Sequence, residues 1–295
     1  MVKLNDNPIE KEDIEEYLRG YSDFAFEIKV MNKLSSLGFV TEHAGTYEDP
    51  ISRKTREFDI RARKRLVDKP SLKLDIRLSI ECKNLRDNFP LVIHCMPREE
   101  NECYLELVWA SKNLNLHPYW EHSSPVRLED DDCLYRQLDP VGKACDQVGR
   151  KANSQSPEIV GNDGDVFDKI SQAINSGYDL LTSAHYLATK ESDVVTIVVP
   201  VLVVADNRLW TVWYNRTGEI EQEPTKEKNV EYYIDKSWLI GDPNEESQVE
   251  YSMSHLEIVE IRALAELIEK YISMSALDSA RYLMSRKHDY FERWE

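Results

Sequence analysis

The stretch "LDIRLSIECKN", residues 74–84, alternates apolar and polar residues along its whole length. In an extended strand successive side chains point to opposite faces, so Leu74, Ile76, Leu78, Ile80 and Cys82 share one face. Asp75, Arg77, Ser79, Glu81 and Lys83 share the other. The preceding "TREFDIRARK", residues 55–64, repeats the pattern, with Phe58, Ile60 and Ala62 on one side and Glu57, Asp59, Arg61 and Arg63 on the other. Between them "DKPS", residues 68–71, reads as the turn of a hairpin. A hairpin centred there pairs residues whose numbers sum to roughly 140, which sets Glu81 opposite Asp59.

Two carboxylates opposed across a hairpin repel each other, and a dication removes the repulsion. Mg²⁺ takes oxygen ligands and is commonly held by one or two carboxylates together with substrate phosphate and water. A neighbouring ammonium orients that water and offsets charge growing on the phosphate. Asp59, Glu81 and Lys83 supply these parts; as a bare tripeptide, Glu81-x-Lys83 is equally a surface ion pair. Upstream, "FAFEIKVMNKL", residues 24–34, follows helical periodicity and puts Glu27 in the middle of an apolar arc that includes Phe24, Phe26, Val30 and Leu34. A carboxylate on such a face needs a partner or a bound ion.

Charge is unevenly spread. The whole chain of 295 residues carries −17, yet residues 51–86 hold twelve Lys or Arg against five acids. Arg61, Arg63, Lys64 and Arg65 in this segment are candidate contacts to a phosphate backbone, while the acidity elsewhere suppresses indiscriminate binding. A solvated charged hairpin is the bland alternative.

Taken in order, "FAFEIKVMNKLSSLGF", "REFDIRA" and "LSIECKN" resemble the PD-(D/E)XK nuclease superfamily, the restriction-endonuclease-like fold. The resemblance covers about residues 20–90, and Phe58 stands where the motif has Pro. It implies that Asp59 and Glu81 hold Mg²⁺, with Mn²⁺ as a substitute, that Lys83 and Glu27 act in catalysis, and that Gln147 is the Gln some members carry on a helix after the Lys strand. The expected fold class is α/β, a restriction-endonuclease-like mixed central sheet flanked by helices with C-terminal additions. The expected function is metal-dependent hydrolysis of phosphodiester bonds, of DNA first, in defence or repair. A catalytically silent nuclease-like module that binds nucleic acid or protein is the alternative, and an unrelated α/β protein with a structural Glu81 and Lys83 is a third.

The remaining chain sets the frame. Helices are predicted over 8–19, 21–37, 140–153, 165–189, 254–273 and 276–292, with buried strands at Val194–Val204 and Leu209–Tyr214. Residues 1–215 are expected to form the core, with an insertion near 95–138, and 216–295 a strand and helical extension packed on it. Five cysteines without C-x-x-C spacing fit reduced thiols in a cytoplasm. The longest apolar run, "VVTIVVPVLVVA" from Val194, is too short for a membrane span, so no membrane partner is expected; a homodimer is left open. His94, Cys95, Cys103, His117 and His122 lack zinc-knuckle spacing, and no Walker, G-x-S-x-G or H-E-x-x-H motif occurs.

Overall fold

Residues 7–20, 22–69, 72–110, 123–129, 134–151, 158–162, 164–186, 194–241 and 248–273 are described by the structure, a computed structural model. In chain order the elements are α1 (Lys11–Gly20), α2 (Phe24–Ser36), β1 (Val40–His43), β2 (Thr46–Glu48), β3 (Thr55–Glu57), β4 (Ile60–Lys69) and β5 (Leu72–Lys83). Then come β6 (Leu91–Pro97), β7 (Tyr104–Ala110), β8 (Ser123–Glu129), β9 (Pro140–Arg150), β10 (Ile159–Asn162) and α3 (Gly164–Tyr186). The chain continues through β11 (Val194–Val204), β12 (Leu209–Tyr214), β13 (Ile220–Lys226), β14 (Asn229–Ile240), β15 (Val249–Glu260) and α4 (Leu264–Ile272). The class is α/β, a large mixed sheet flanked by helices.

The sheet runs β1-β4-β5-β11-β15-β14-β9-β6-β12-β13, with β7 and β8 paired beside β11 and β10 beside β9. The hairpin register is the expected one: β4 and β5 are antiparallel with Ile60 across from Ile80 and Arg61 across from Ser79. At the centre β11 lies parallel to both β5 and β15 and is buried at every position, as its unbroken Val-rich run requires. One face of the sheet packs against Phe26, Val30 and Leu34 of α2 and Leu264, Leu267 and Ile268 of α4. The other packs against Val166, Ile170, Ala173, Ile174, Leu181 and Ala184 of α3, an apolar stripe at three- and four-residue spacing. Gly38 ends the α2 turn at φ 83, a conformation that an L side chain rarely adopts.

Several expectations are corrected. Residues 140–153 do not form a helix: Pro140–Arg150 is strand β9, with Val141, Cys145 and Gln147 buried. A Cβ on Gly142 would come within 2.6 Å of Ile93, and one on Gly149 within 2.6 Å of Phe89, so both glycines permit close cross-strand approach. The helix expected over 254–273 is strand β15 as far as Glu260, and helix only over Leu264–Ile272. The insertion near 95–138 contains the paired strands β7 and β8. The proposed helix over 276–292 lies outside the described residues. Beyond residue 215, β14 and β15 lie in the middle of the sheet, between β11 and β9. Among the described residues no helix is long and apolar enough to cross a membrane.

Candidate functional site

Continuing the hairpin register one residue beyond β4 puts Asp59 across from Glu81, and the backbone fixes both carboxylates. The Asp59 N–H donates to Glu81 Oε1 at 3.3 Å, and the Cys82 N–H donates to Asp59 Oδ2 at 2.8 Å. The polar face of β5 is not solvated. Asp75, Arg77, Ser79 and Glu81 are all buried, because α3 lies across them. Residues 169, 173, 176, 180 and 183, one stripe of α3, make the contacts. Ser79 Oγ donates to the Ala173 carbonyl, Arg61 donates to Ser176, and Arg77 reaches the Leu180 carbonyl and the Ser183 hydroxyl.

At the head of that stripe stands Lys169. Its Nζ donates to Asp59 Oδ2 at 2.6 Å and to Glu81 Oε2 at 2.8 Å, bridging the two acids. Burial works against the Lys169 charge, but Glu81 and Asp59 overcome it and hold the ammonium above its usual range. Glu81 is pushed up to about 8, by burial first and then by the Asp59 charge, against the opposing pull of Lys169. Glu27 lies close enough for Asp59 to add to the upward shift that burial gives it, while His43 Nε2, 2.9 Å from its Oε2, lowers it. The Cys82 thiol is raised by burial and by Asp59, Glu27 and Glu81 together. Three carboxylates thus share one neighbourhood with a single ammonium.

The other sequence candidates are placed differently. Glu27 flanks the buried 26/30/34 stripe of α2 rather than centring it, and Phe24 is 60% exposed. Lys83 turns to Asp23, with Nζ 3.8 Å from Oδ2. Gln147 sits on β9, not on a helix; it is buried, and its side-chain amide donates to the Phe89 carbonyl. Arg61 pairs with Asp179 of α3 at 2.8 Å, and Arg63 donates to both oxygens of Asp75. Arg65 lies 3.7 Å from the same Asp75 carboxylate, and Lys64 Nζ donates to the Leu37 carbonyl. All four basic side chains of this segment thus have partners within the fold.

A donor set of two facing carboxylates suits a hard divalent cation, and Asp59, with its side chain 16% exposed, is within reach of solvent. The position between them is held by the Lys169 ammonium. Among the described residues no three His, Cys, Asp or Glu side chains are gathered as a metal-holding group.

A second lysine-bridged pair lies on the opposite face, under α4. Glu231 of β14 and Glu257 of β15 are register partners, and Lys270 Nζ donates to them at 2.6 and 2.8 Å. Arg98 also pairs with Glu231, and Tyr271 donates to Glu257 Oε1 at 2.6 Å. Beside them His255 stacks on Tyr135 with ring centroids 3.7 Å apart, and neither of its nitrogens has a hydrogen-bond partner among the described residues. Burial, followed by Arg98, Lys270 and Lys143, drives the His255 pKa down to about 2, so the ring is neutral.

Lys169 was out of reach of sequence reasoning, since it meets its partners 110 and 88 positions away. The one available signal was its place on the small and polar stripe of α3. Compared with protein-family models, with curated proteins and with solved structures, the chain has no match in any of the three.

Proposed function

We propose that the protein is a metal-dependent phosphodiesterase acting on nucleic acid, DNA first, of the restriction-endonuclease-like kind that the 20–90 segment resembles. One observation carries this reading: Asp59 and Glu81 share the single ammonium of Lys169, with Glu27 and its partner His43 beside them and Glu81 raised to about 8, whereas the comparable centre under α4 sets two glutamates against Lys270 and Arg98. Uncompensated buried carboxylate is costly, and a site that retains it has a use for a cation. Asp59 and Glu81 would hold a Mg²⁺ or Mn²⁺ ion, which when bound polarises a phosphoryl oxygen and activates water. Lys169, rather than Lys83, is the ammonium beside the acids, and it stabilises negative charge growing on a phosphate bound there. Glu27, half-buried and paired with His43, orients groups at the edge of the pair.

A second reading, the catalytically silent nuclease-like module, is favoured by the double ion pair of Lys169, which fills the space between the acids. Calorimetric titration with Mg²⁺ and Mn²⁺, run beside cleavage assays on single- and double-stranded DNA and RNA, separates the two. The enzyme binds metal through Asp59 and Glu81 and cuts at least one of these forms. A protein that gives no heat and no cleavage is the silent module.

A further inference from the structure

A cavity of about 430 Å³ opens at the end of β5, where Lys83, two residues beyond Glu81, is in its lining. Lys83, Arg86 and Arg150 line it, against Asp23 and Asp165. A second cavity, of about 260 Å³, has the opposite character: Asp139, Glu227 and Glu231 line it, and no Lys or Arg does. The first thus carries a small excess of positive charge, three cations against two carboxylates with Lys83 paired to Asp23, in a chain whose net charge is −17. Its cations come from the end of β5, the turn after it and the end of β9, three segments that only the fold brings together. Both α2 and α3 begin at its wall, Asp23 preceding the first and Asp165 lying in the first turn of the second, and helix N-termini favour anions.

Neutral groups complete the site. Gln147 is buried and lines the cavity, with its amide directed to the Phe89 carbonyl. The Phe89 ring, also in the lining, is seated over Gly149 so closely that a Cβ there would clash at 2.6 Å. An aromatic ring beside a cluster of guanidinium and ammonium groups is the chemistry that takes a base and a phosphate together. The volume lies in the range of small-molecule sites, about 300–1,000 Å³, and has room for one nucleotide.

We propose that this cavity is a nucleotide-phosphate subsite, one residue of the substrate strand away from the bond that Asp59 and Glu81 address. The distance fits: at about 3.3 Å per residue, Lys83 lies ~6.6 Å along β5 from Glu81, the reach of one nucleotide along a strand. Lys83 then belongs to substrate positioning, which accounts for its turning away from the acids. The identity of the ligand rests on the nuclease reading, but the phosphate site does not depend on metal.

The test is binding in excess chelator, read by fluorescence anisotropy of labelled single-stranded trinucleotides carrying either a 5′-phosphate or a 5′-hydroxyl. The proteins compared are the full chain, Arg150→Glu, Lys83→Gln and Arg216→Gln. Arg150 is exposed at the end of its strand, so its reversal leaves the core intact. Arg150→Glu and Lys83→Gln each weaken binding by about tenfold or more, the loss of one charge-assisted contact, while Arg216→Gln, at an exposed arginine outside the cavity, binds as well as the native chain. Tighter binding of the 5′-phosphorylated form assigns the subsite to a strand end. Equal binding of both forms, lost alike in Arg150→Glu, assigns it to an internal diester. Undetectable binding of either form, or binding indifferent to both cavity substitutions, overturns the proposal. Binding that behaves as expected in a protein that cuts nothing refutes the nuclease reading alone.

Discussion

Lys169 and Lys270 each reach from a helix into two acids on neighbouring strands, at the same two distances, yet the centres they build are not equivalent. Under α4 the charges balance: Glu231 and Glu257 meet Lys270 and Arg98, and the Tyr271 hydroxyl supplies a further donor. Under α3 they do not: Glu27 takes His43 as its partner, and Asp59 and Glu81 share the one ammonium of Lys169. The balanced centre is a device for packing, fully inside the protein at Glu257. In the unbalanced one, burial and the Asp59 charge outweigh the pull of Lys169 and raise Glu81 to about 8. Similar geometry therefore supports opposite readings, and net charge decides between them.

The comparison breaks most readily at Lys270. Lys270→Met leaves the buried Glu257 opposed to Glu231 without its ammonium, and is expected to cost about 3–5 kcal/mol in urea denaturation. A loss below about 1 kcal/mol would mean that the α4 centre is no more structural than its counterpart.

Next comes the titration of Glu81. Its folded pKa of about 8 lies above the ordinary 4.5, so the folded chain binds the extra proton. Its contribution to stability is complete below pH 4.5 and is lost as pH rises through about 8. Glu81→Gln is expected to flatten that dependence and to raise stability at pH 8.5 by on the order of 2 kcal/mol in metal-free buffer. An unchanged slope between the two pH values would remove the argument from unbalanced charge.

A smaller effect on stability is expected at the bridging lysine. Lys169→Met should cost about 1–2 kcal/mol, less than the change under α4, because Asp59 keeps contact with solvent whereas Glu257 has none. Metal affinity should hold or rise once the ammonium no longer competes, while single-turnover cleavage falls by about 10²-fold. Calorimetry paired with quenched-flow cleavage reads both. The smallest change in stability, below about 1 kcal/mol, belongs to the nearly isosteric Asp59→Asn, which should nonetheless lose metal binding and cleavage together. Retention of metal-binding heat in that variant would remove Asp59 from the ligand set.

The hairpin was legible because alternation is a local property. Its register set Asp59 across from Glu81 before any tertiary information, and Ile60 does pair with Ile80. The polar face of the same hairpin was less legible, since a row of Arg, Asp and Ser looks the same whether it meets water or a helix with complementary groups. Arg61, Arg63 and Arg65 make ion pairs with Asp179 and Asp75, contacts that alternation alone does not show. The two strands taken for helices failed for related reasons. In β15, His255 and Glu257 are buried polar residues that break strand alternation and imitate an amphipathic helix. In β9 the warning was available: Gly142 and Gly149 would each cost a helix interior about 1 kcal/mol.

The position of β15 in the sheet also governs the order in which the molecule can be made. A ribosome delivers β5 and β11 long before residues 249–260, yet β11 needs β15 along one edge, with Val201 beside Glu257 and Val204 beside Glu260. Until that late strand emerges, the most apolar segment of the chain carries an unpaired edge, the kind of surface to which a second nascent chain can add. Closing the sheet with a strand so distant in sequence makes folding a slow, non-local step. It also ties completion of the Asp59–Glu81 layer to the emergence of residues 249–260, so fragments ending before them would carry the acids without the scaffold that aligns them.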